Sequence, residues 1–471
     1  MQENKKVFWF VVGSQHLYGE DTLKQVSDNA KAIVDGLNQT APFEIILKDT
    51  VKTADEITAL MKEANYQDDV SGVITWMHTF SPAKMWIQGM KLLTKPLLHL
   101  ATQFNQNIPW ATMDMDFMNL NQAAHGDREY GFINARLKKN NKVLVGYWDT
   151  ERTRTELAKW MKVANAFIAS HSIKVARFCE NMRNVADTEG DKVEAAIQFG
   201  WTVDYFGIGD LVAEMAKVTE DEIDSLYSEI KGLYDFDLGA NTEEHFTASV
   251  REQLKIEIGL ERFLEAGAYN AFTSNFEDLH GMKQLPGLAV QRLMAKGYGF
   301  AGEGDWKTAA LDRLIKVMTL NKNTAFMEDY TYELEAGNES ILQSHMLEVD
   351  PSLASNKPIV KVEPLGIGGK EDPARLVFDG KAGEGVVISM SDFGTHYKLL
   401  INEVELFTPE TPAPKLPVAR VMWKVKPDFH SGVTKWIEEG GGHHTVVSLE
   451  ADTRQMIDLA KMFNLEYVLI K

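Results

Sequence analysis

Residues 5–19 read Lys-Lys-Val-Phe-Trp-Phe-Val-Val-Gly-Ser-Gln-His-Leu-Tyr-Gly, and the rest of the first third of the chain follows from how they are read. Val7 to Val12 form a compact apolar run that stops at Gly13-Ser14-Gln15. Leu23, Val26, Ala30, Ile33, Val34 and Leu37 then recur at helical spacing. The stretch predicts strand, loop, helix. The alternation continues with apolar runs at 43–47, 70–77 and 97–100, a helical pattern near 54–64 and another opening at Pro82. Repeated βα units of this kind predict a doubly wound parallel sheet.

A long amphipathic helix over about 151–168 leads into a second βα series with strands at 175–178, 203–208 and 271–274. After about residue 325 the pattern changes to short β-rich runs at 359–362, 376–378, 386–390 and 397–404, punctuated by Gly, Pro and Asp. Pro409, Pro412, Pro414 and Pro417 mark a loop among them. The expected architecture is therefore α/β, with an N-terminal α/β domain over 1–172, a central α/β domain over 173–325 and a β-rich, barrel-like domain over 326–471.

The 471 residues are enough for several domains, and the hydrophobic (44%) and charged (25%) fractions are those of a globular chain. With 49 basic against 68 acidic residues the net charge is −19, which gives no global attraction to nucleic acid or anionic membranes. Cys179 is the single cysteine, so an internal disulfide and a Cys-rich zinc site are excluded, and a reducing cytoplasm is expected. Lys5 and Lys6 precede too short an apolar run for a signal segment or membrane span.

Without thiolates, a catalytic metal would need carboxylates and imidazoles, a donor set suited to Mn²⁺ and related divalent ions. His443-His444 follows Gly440, Gly441 and Gly442, where the backbone can approach a ligand closely or simply form a flexible turn with solvated imidazoles. Gly297 to Gly302 matches GxGxxG, but it follows the helical stretch 288–295 instead of a strand. The residue about 20 positions on is Lys322, not an acid, so a dinucleotide site is rejected. Glu303, between Gly302 and Gly304, is either a helix-capping acid or a carboxylate facing a cavity. Glu328 and Asp329 lie in an apolar and aromatic stretch, where a buried carboxylate needs a metal, an arginine or backbone amides. His345 reads equally as a hydrogen-bonded core histidine. Trp9, Trp76, Trp86 and Trp110 are expected in the core. GxxxxGK[ST], GxSxG and HExxH are all absent.

Jointly, ordered blocks along the whole chain resemble the L-arabinose isomerase family. They are Gly13-Ser14-Gln15-His16-Leu17-Tyr18-Gly19, Asn121-Gln122-Ala123-Ala124-His125-Gly126, residues 177–187 around Asn181-Met182-Arg183-Asn184, and residues 302–307, 326–332, 344–348 and 440–445. The sequence departs from the family pattern at Gly442, where alanine is expected, and at Cys179-Glu180, where glycine and aspartate are expected. The resemblance implies a metal-binding and catalytic quartet of Glu303, Glu328, His345 and His444, holding one Mn²⁺ per subunit, with Co²⁺ or Mg²⁺ as alternatives. It also implies a sugar pocket including Gln15, Leu17, Tyr18, Gln122, His125, Met182 and Phe276. The family is oligomeric, commonly hexameric, with His125 entering a neighbouring subunit's site.

The implied reaction converts L-arabinose to L-ribulose, and D-galactose to D-tagatose, by metal-assisted proton transfer through an enediol(ate), with Glu303 and Glu328 as the acid–base pair. A metal-dependent hydride shift uses the same ligands. The alternatives are an isomerase of another neutral sugar such as L-fucose, or a non-catalytic sugar-binding protein. A nucleic-acid-binding sensor is disfavoured by the lack of a basic patch.

Overall fold

Every residue of β1 (Val7–Gly13) is buried, as the central strand of a parallel sheet covered on both faces must be. In this computed structural model, which describes residues 5–366 and 369–471, β1 is flanked by β2 (Glu44–Leu47) and β3 (Val70–Met77). Then come β4 (Leu97–Ala101) and β5 (Lys142–Val145). The order β2-β1-β3-β4-β5 is parallel throughout. Because the chain turns back at β1 and β3, their carboxyl ends form the switch point at which sheets of this type open a crevice. The helices Gly19–Leu37, Ala54–Tyr66 and Ala123–Arg136 connect the strands. Ala54–Tyr66 starts at a capping box in which Thr53 and Glu56 satisfy each other's backbone N–H groups.

The chain divides into two compact units, the first ending at Ile168 and the second beginning at Ala169. The second unit holds both a parallel sheet and a barrel. Its parallel sheet consists of β6 (Lys174–Phe178), β7 (Thr202–Phe206), β9 (Ala271–Ser274) and β10 (Gly299–Ala301), in the order β10-β9-β6-β7. β7 stops earlier than the apolar run 203–208 predicts, because Gly207 becomes the N-cap of the helix Ile208–Met215. The two-residue β8 (Asp235–Phe236) instead joins β13 (Ile359–Val362) and β14 (Ala374–Val377) in a small separate sheet.

The barrel uses β11 (Thr324–Glu333), β12 (Ser340–Ser344), β15 (Gly383–Asp392), β16 (Tyr397–Phe407), β17 (Val421–Val425) and β18 (His444–Ser448). Pairing runs β15-β18-β11-β12-β17-β16 and closes through β15–β16, leaving no open edge among these six strands, while β19 (Glu466–Ile470) adds in parallel to β16. Met327, Ile341, Val387, Leu400, Trp423 and Val447 belong to one buried cluster. Full burial of such side chains contributes about 1.5–3 kcal/mol each.

Trp9, Trp76 and Trp86 are buried as expected, but Trp110 is 77% exposed. It lies in the turn Ile108-Pro109-Trp110, outside any helix or strand that could aim it inward. Among the described residues, no helix is long and apolar enough to cross a membrane.

Candidate metal centre

Antiparallel register places Glu328 of β11 directly opposite His444 of β18 on one side and Ser344 of β12 on the other. His345 follows Ser344 at the end of its strand, so three of the four expected ligands share one rim of the barrel. The His345 Nε2–Glu328 Oε2 distance is 3.9 Å. Glu328 stands where β11 passes from its buried first half to its exposed second half. The carboxylate therefore reaches the rim without being sealed in the core.

Glu303 arrives from the parallel sheet, in the turn Gly302-Glu303-Gly304 after the carboxyl end of β10. Its φ is +61°, a left-handed conformation that costs a non-glycine residue about 1–3 kcal/mol and persists only where its surroundings enforce it. The Met182 N–H donates to Glu303 O at 3.0 Å, and the Gly304 N–H donates to Ser274 O at 3.0 Å. The flanking glycines have a packing reason. A Cβ on Gly302 would lie 2.6 Å from His345 Nε2, and one on Gly304 would lie 2.6 Å from Asn181 Cα. Gly302, the last glycine of the rejected dinucleotide match, thus allows close approach of the polypeptide itself.

Both quartet histidines are oriented from behind by carboxylates. His345 Nδ1 bonds Glu348 Oε2 at 2.5 Å, and the same oxygen accepts the Leu347 N–H at 3.0 Å. His444 Nδ1 bonds Asp305 Oδ2 at 3.1 Å; Asp305 also caps the helix Trp306–Met318 and pairs with Lys307 Nζ at 3.0 Å. With Nδ1 donating, each ring presents Nε2 as a lone pair. Both Nε2 atoms are buried and have no hydrogen-bond partner among the described residues. Two inward lone pairs beside two carboxylates, each backed by a buried acid, form a donor set suited to a divalent cation. Phe326 packs against both rings, tilted by 58° with its centroid 4.9 Å from His345 and edge-on with its centroid 4.9 Å from His444.

Burial, reinforced by His443 and His345 against the pull of Asp305, keeps His444 below the usual histidine range, in its neutral ligand form. Burial would also lower His345, but Glu348 overcomes it and raises the group. Burial alone would raise Glu303, yet hydrogen bonding from His443 and the neighbouring imidazoles hold it below the usual carboxylate range.

His443, read in the sequence as one of an adjacent histidine pair, is not among the four expected ligands, yet it contacts one of them. Its Nδ1 bonds Asp187 Oδ2 at 2.7 Å and its Nε2 bonds Glu303 Oε2 at 3.2 Å. These bonds outweigh burial and raise it to about 10. Glu303, His443 and His444 offer ligand atoms that all lie within 4.8 Å of one another; within the expected quartet, His444 Nε2 is 3.9 Å from Glu303 Oε2. Asp187, Asp305 and Glu348 carry no local signal of their own, although they lie inside the family-like blocks 177–187, 302–307 and 344–348. Tyr330 carries no sequence signal. It sits in the bulge of the β11–β12 pairing and donates its hydroxyl to Met346 Sδ at 3.2 Å, and burial together with the charges of Glu328, Glu303 and Glu348 raises its phenol.

Two expected sugar-pocket residues lie near this centre: the Phe276 ring stacks 5.8 Å from His345, and Met182 holds the Glu303 carbonyl. The other five belong to the first unit. Gln15 donates from Nε2 to Phe80 O at 3.2 Å, and the Gln122 N–H donates to His78 O at 2.9 Å. His125 stacks on Phe80 with centroids 4.1 Å apart. Leu17 is 83% exposed and Tyr18 half-buried, on the short turn at the β1 end of the crevice.

Comparison with known proteins is consistent along the chain. Family models match for the L-arabinose isomerase N-terminal domain over residues 2–172, the central domain over 174–321 and the C-terminal domain over 323–466. The chain is 70% identical to L-arabinose isomerase 2 of Bacillus licheniformis, with 99% of each chain covered. It is 67% identical to L-arabinose isomerase of Oceanobacillus iheyensis, again with 99% of each covered. For L-arabinose isomerase of Geobacillus stearothermophilus the identity is 57%, covering 98% of this chain and 94% of the relative. With its two α/β sheets, its six-stranded barrel and its buried histidine–glutamate cluster, this chain belongs to the L-arabinose isomerase family.

Proposed function

We propose that this protein interconverts L-arabinose and L-ribulose, and also D-galactose and D-tagatose, at the barrel rim. The observation that carries the reading is the pair of buried, unpartnered Nε2 atoms of His345 and His444 facing Glu303 and Glu328. A divalent cation, Mn²⁺ on this reading with Co²⁺ or Mg²⁺ as substitutes and one per subunit, would be held by Glu303, Glu328, His345 and His444 and would polarise the sugar carbonyl.

Glu303 and Glu328 act as the acid–base pair. One carboxylate takes the proton from C2 of the open-chain aldose and returns it to C1, while the other carries the hydroxyl proton from O2 to O1, with an enediol(ate) between the two transfers. His443, bonded to both Asp187 and Glu303, keeps Glu303 ionised and ready to accept. Phe276 and Met182 line the sugar's approach on this side. A sugar-binding role for Gln15, Leu17, Tyr18, Gln122 and His125 belongs to the same reading, with His125 supplied by a neighbouring subunit of a homohexamer. The division at 1–172, 173–325 and 326–471 and a cytoplasmic location belong to the same reading, the latter supported by the single cysteine.

The test is ketose formation from L-arabinose by chelator-stripped protein before and after adding Mn²⁺, alongside Glu303→Ala and Glu328→Ala. Metal-restored L-ribulose, lost in both variants while circular dichroism is unchanged, supports the reading. Near-normal turnover by either variant overturns the acid–base assignment. Product from L-fucose but not from L-arabinose overturns the substrate, and sugar binding without any product overturns the enzymatic reading.

A further inference from the structure

β3 ends at Met77, and the three residues that follow act as a chassis for the crevice of the first unit. His78 O accepts the Gln122 N–H at 2.9 Å, Thr79 Oγ1 bonds Ser14 Oγ at 2.7 Å, and Phe80 O accepts from Gln15 Nε2 at 3.2 Å. The start of the helix Ala123–Arg136 is pressed against the same strand end, since a Cβ on Gly126 would lie 2.7 Å from Met77 Cβ. On this base the Phe80 ring lies over the exposed His125 imidazole, with centroids 4.1 Å apart and planes only 12° from parallel.

Among the described residues, the His125 imidazole has no hydrogen-bond partner. Its ring plane is therefore set by the stack, and both ring nitrogens stay available to an incoming hydroxyl. An imidazole tethered by hydrogen bonds would be equally well oriented but would have spent one of those nitrogens. An exposed imidazole without the stack would sample several rotamers, and sugar binding would have to freeze them.

We propose that Phe80 is a positioning residue for sugar binding, its ring fixing the plane of His125 and its carbonyl fixing the amide of Gln15. This rests on the reading that Gln15 and His125 contact the sugar. Phe80 itself need not touch the substrate, and its effect passes through His125.

The experiment is a double-mutant cycle on the full chain loaded with Mn²⁺, using steady-state kinetics with L-arabinose. Phe80→Leu keeps apolar bulk and removes the flat face. It raises KM roughly 3- to 10-fold, the size of one aromatic contact, with kcat within about two-fold of the parent. Phe80→Tyr restores KM. In the His125→Ala background Phe80→Leu has no further effect, because the group it positions is gone. Multiplicative effects of Phe80→Leu and His125→Ala overturn the proposal, as does a loss confined to kcat. If His125→Ala raises KM and Phe80→Leu does not, the positioning role alone fails. If His125→Ala leaves KM unchanged, the assignment of His125 to the sugar fails and the role of Phe80 falls with it. Should Phe80→Leu not fold, Phe80→Trp, which keeps a stacking face, must retain parental KM in the parent background or the proposal fails.

Discussion

Replacing Glu348 with glutamine tests whether the buried acids behind the histidines tune the metal centre. Glu348 is fully buried, and its Oε2 accepts from both His345 Nδ1 at 2.5 Å and the Leu347 N–H at 3.0 Å. Glutamine has nearly the same shape. Its carbonyl oxygen must take the Oε2 position, because the Leu347 N–H needs an acceptor there, so His345 keeps its tautomer and orientation. What disappears is the negative charge. A charge-assisted hydrogen bond is about twice as strong as a neutral one, and loss of such an outer partner typically weakens metal binding about 10- to 100-fold. That corresponds to about 1.4–2.7 kcal/mol. The assay is calorimetric titration of Mn²⁺ into chelator-stripped parent and Glu348→Gln protein, with circular dichroism as a check on folding. Equal Mn²⁺ affinity in the two proteins would refute the argument. Glu348→Ala serves as contrast. It leaves the His345 Nδ1–H and the Leu347 N–H unsatisfied, at about 1–3 kcal/mol each, and should lower the melting temperature even without metal.

Gly302→Ala places a methyl group 2.6 Å from His345 Nε2, a clash worth about 1–3 kcal/mol that must displace the ring. The variant should lose most of the Mn²⁺-dependent rise in melting temperature, and a full rise would show that the close approach is dispensable. Mn²⁺ at 100 times its Kd should stabilise the parent by about 2.7 kcal/mol. His345→Ala should abolish that gain in urea titrations; an undiminished gain would remove His345 from the ligand set. Phe326→Ala empties the space beside the two imidazoles and should cost about 3–5 kcal/mol, whereas a loss below about 1 kcal/mol would mean that the surrounding rings collapse to fill it. In the first unit, burial lowers His78 from 6.5 to about 4, and Asn29 Nδ2 donates to its Nε2, so the folded form holds it neutral. The unfolded chain binds a proton near pH 6.5 that the folded chain refuses until about pH 4, so stability falls as pH drops through that window. Between pH 6.5 and 5 the loss is about 1.6 kcal/mol. His78→Gln should remove this part of the slope, and an unchanged pH dependence in that variant would rule His78 out as its source.

Local pattern was enough for much of the fold. The apolar run at Val7 became β1, the run at 271–274 became β9 with the same bounds, and the helical stretch at 288–295 and the strand at 359–362 were also found where the spacing placed them. Side-chain periods of 2 and 3.6 are properties of neighbouring residues, so they survive in a single sequence. Glu303, Glu328, His345 and His444 each carried a structural explanation at least as good as the functional one when read locally. They were brought together by resemblance to a family, not by spacing.

What the sequence by itself determined was the order of strands and helices, the change from α/β to β-rich pattern near residue 325, and a donor set limited to carboxylates and imidazoles by the single cysteine. Tertiary structure alone decided the rest. It closed the barrel through β15–β16, set Glu328 opposite His444, drew β8 away to β13, and brought Asp187 to His443 and Phe80 over His125. Strand register and side-chain approach depend on how distant segments pack, and a one-residue slip between β11 and β18 would move Glu328 to the other face. No local period records that choice.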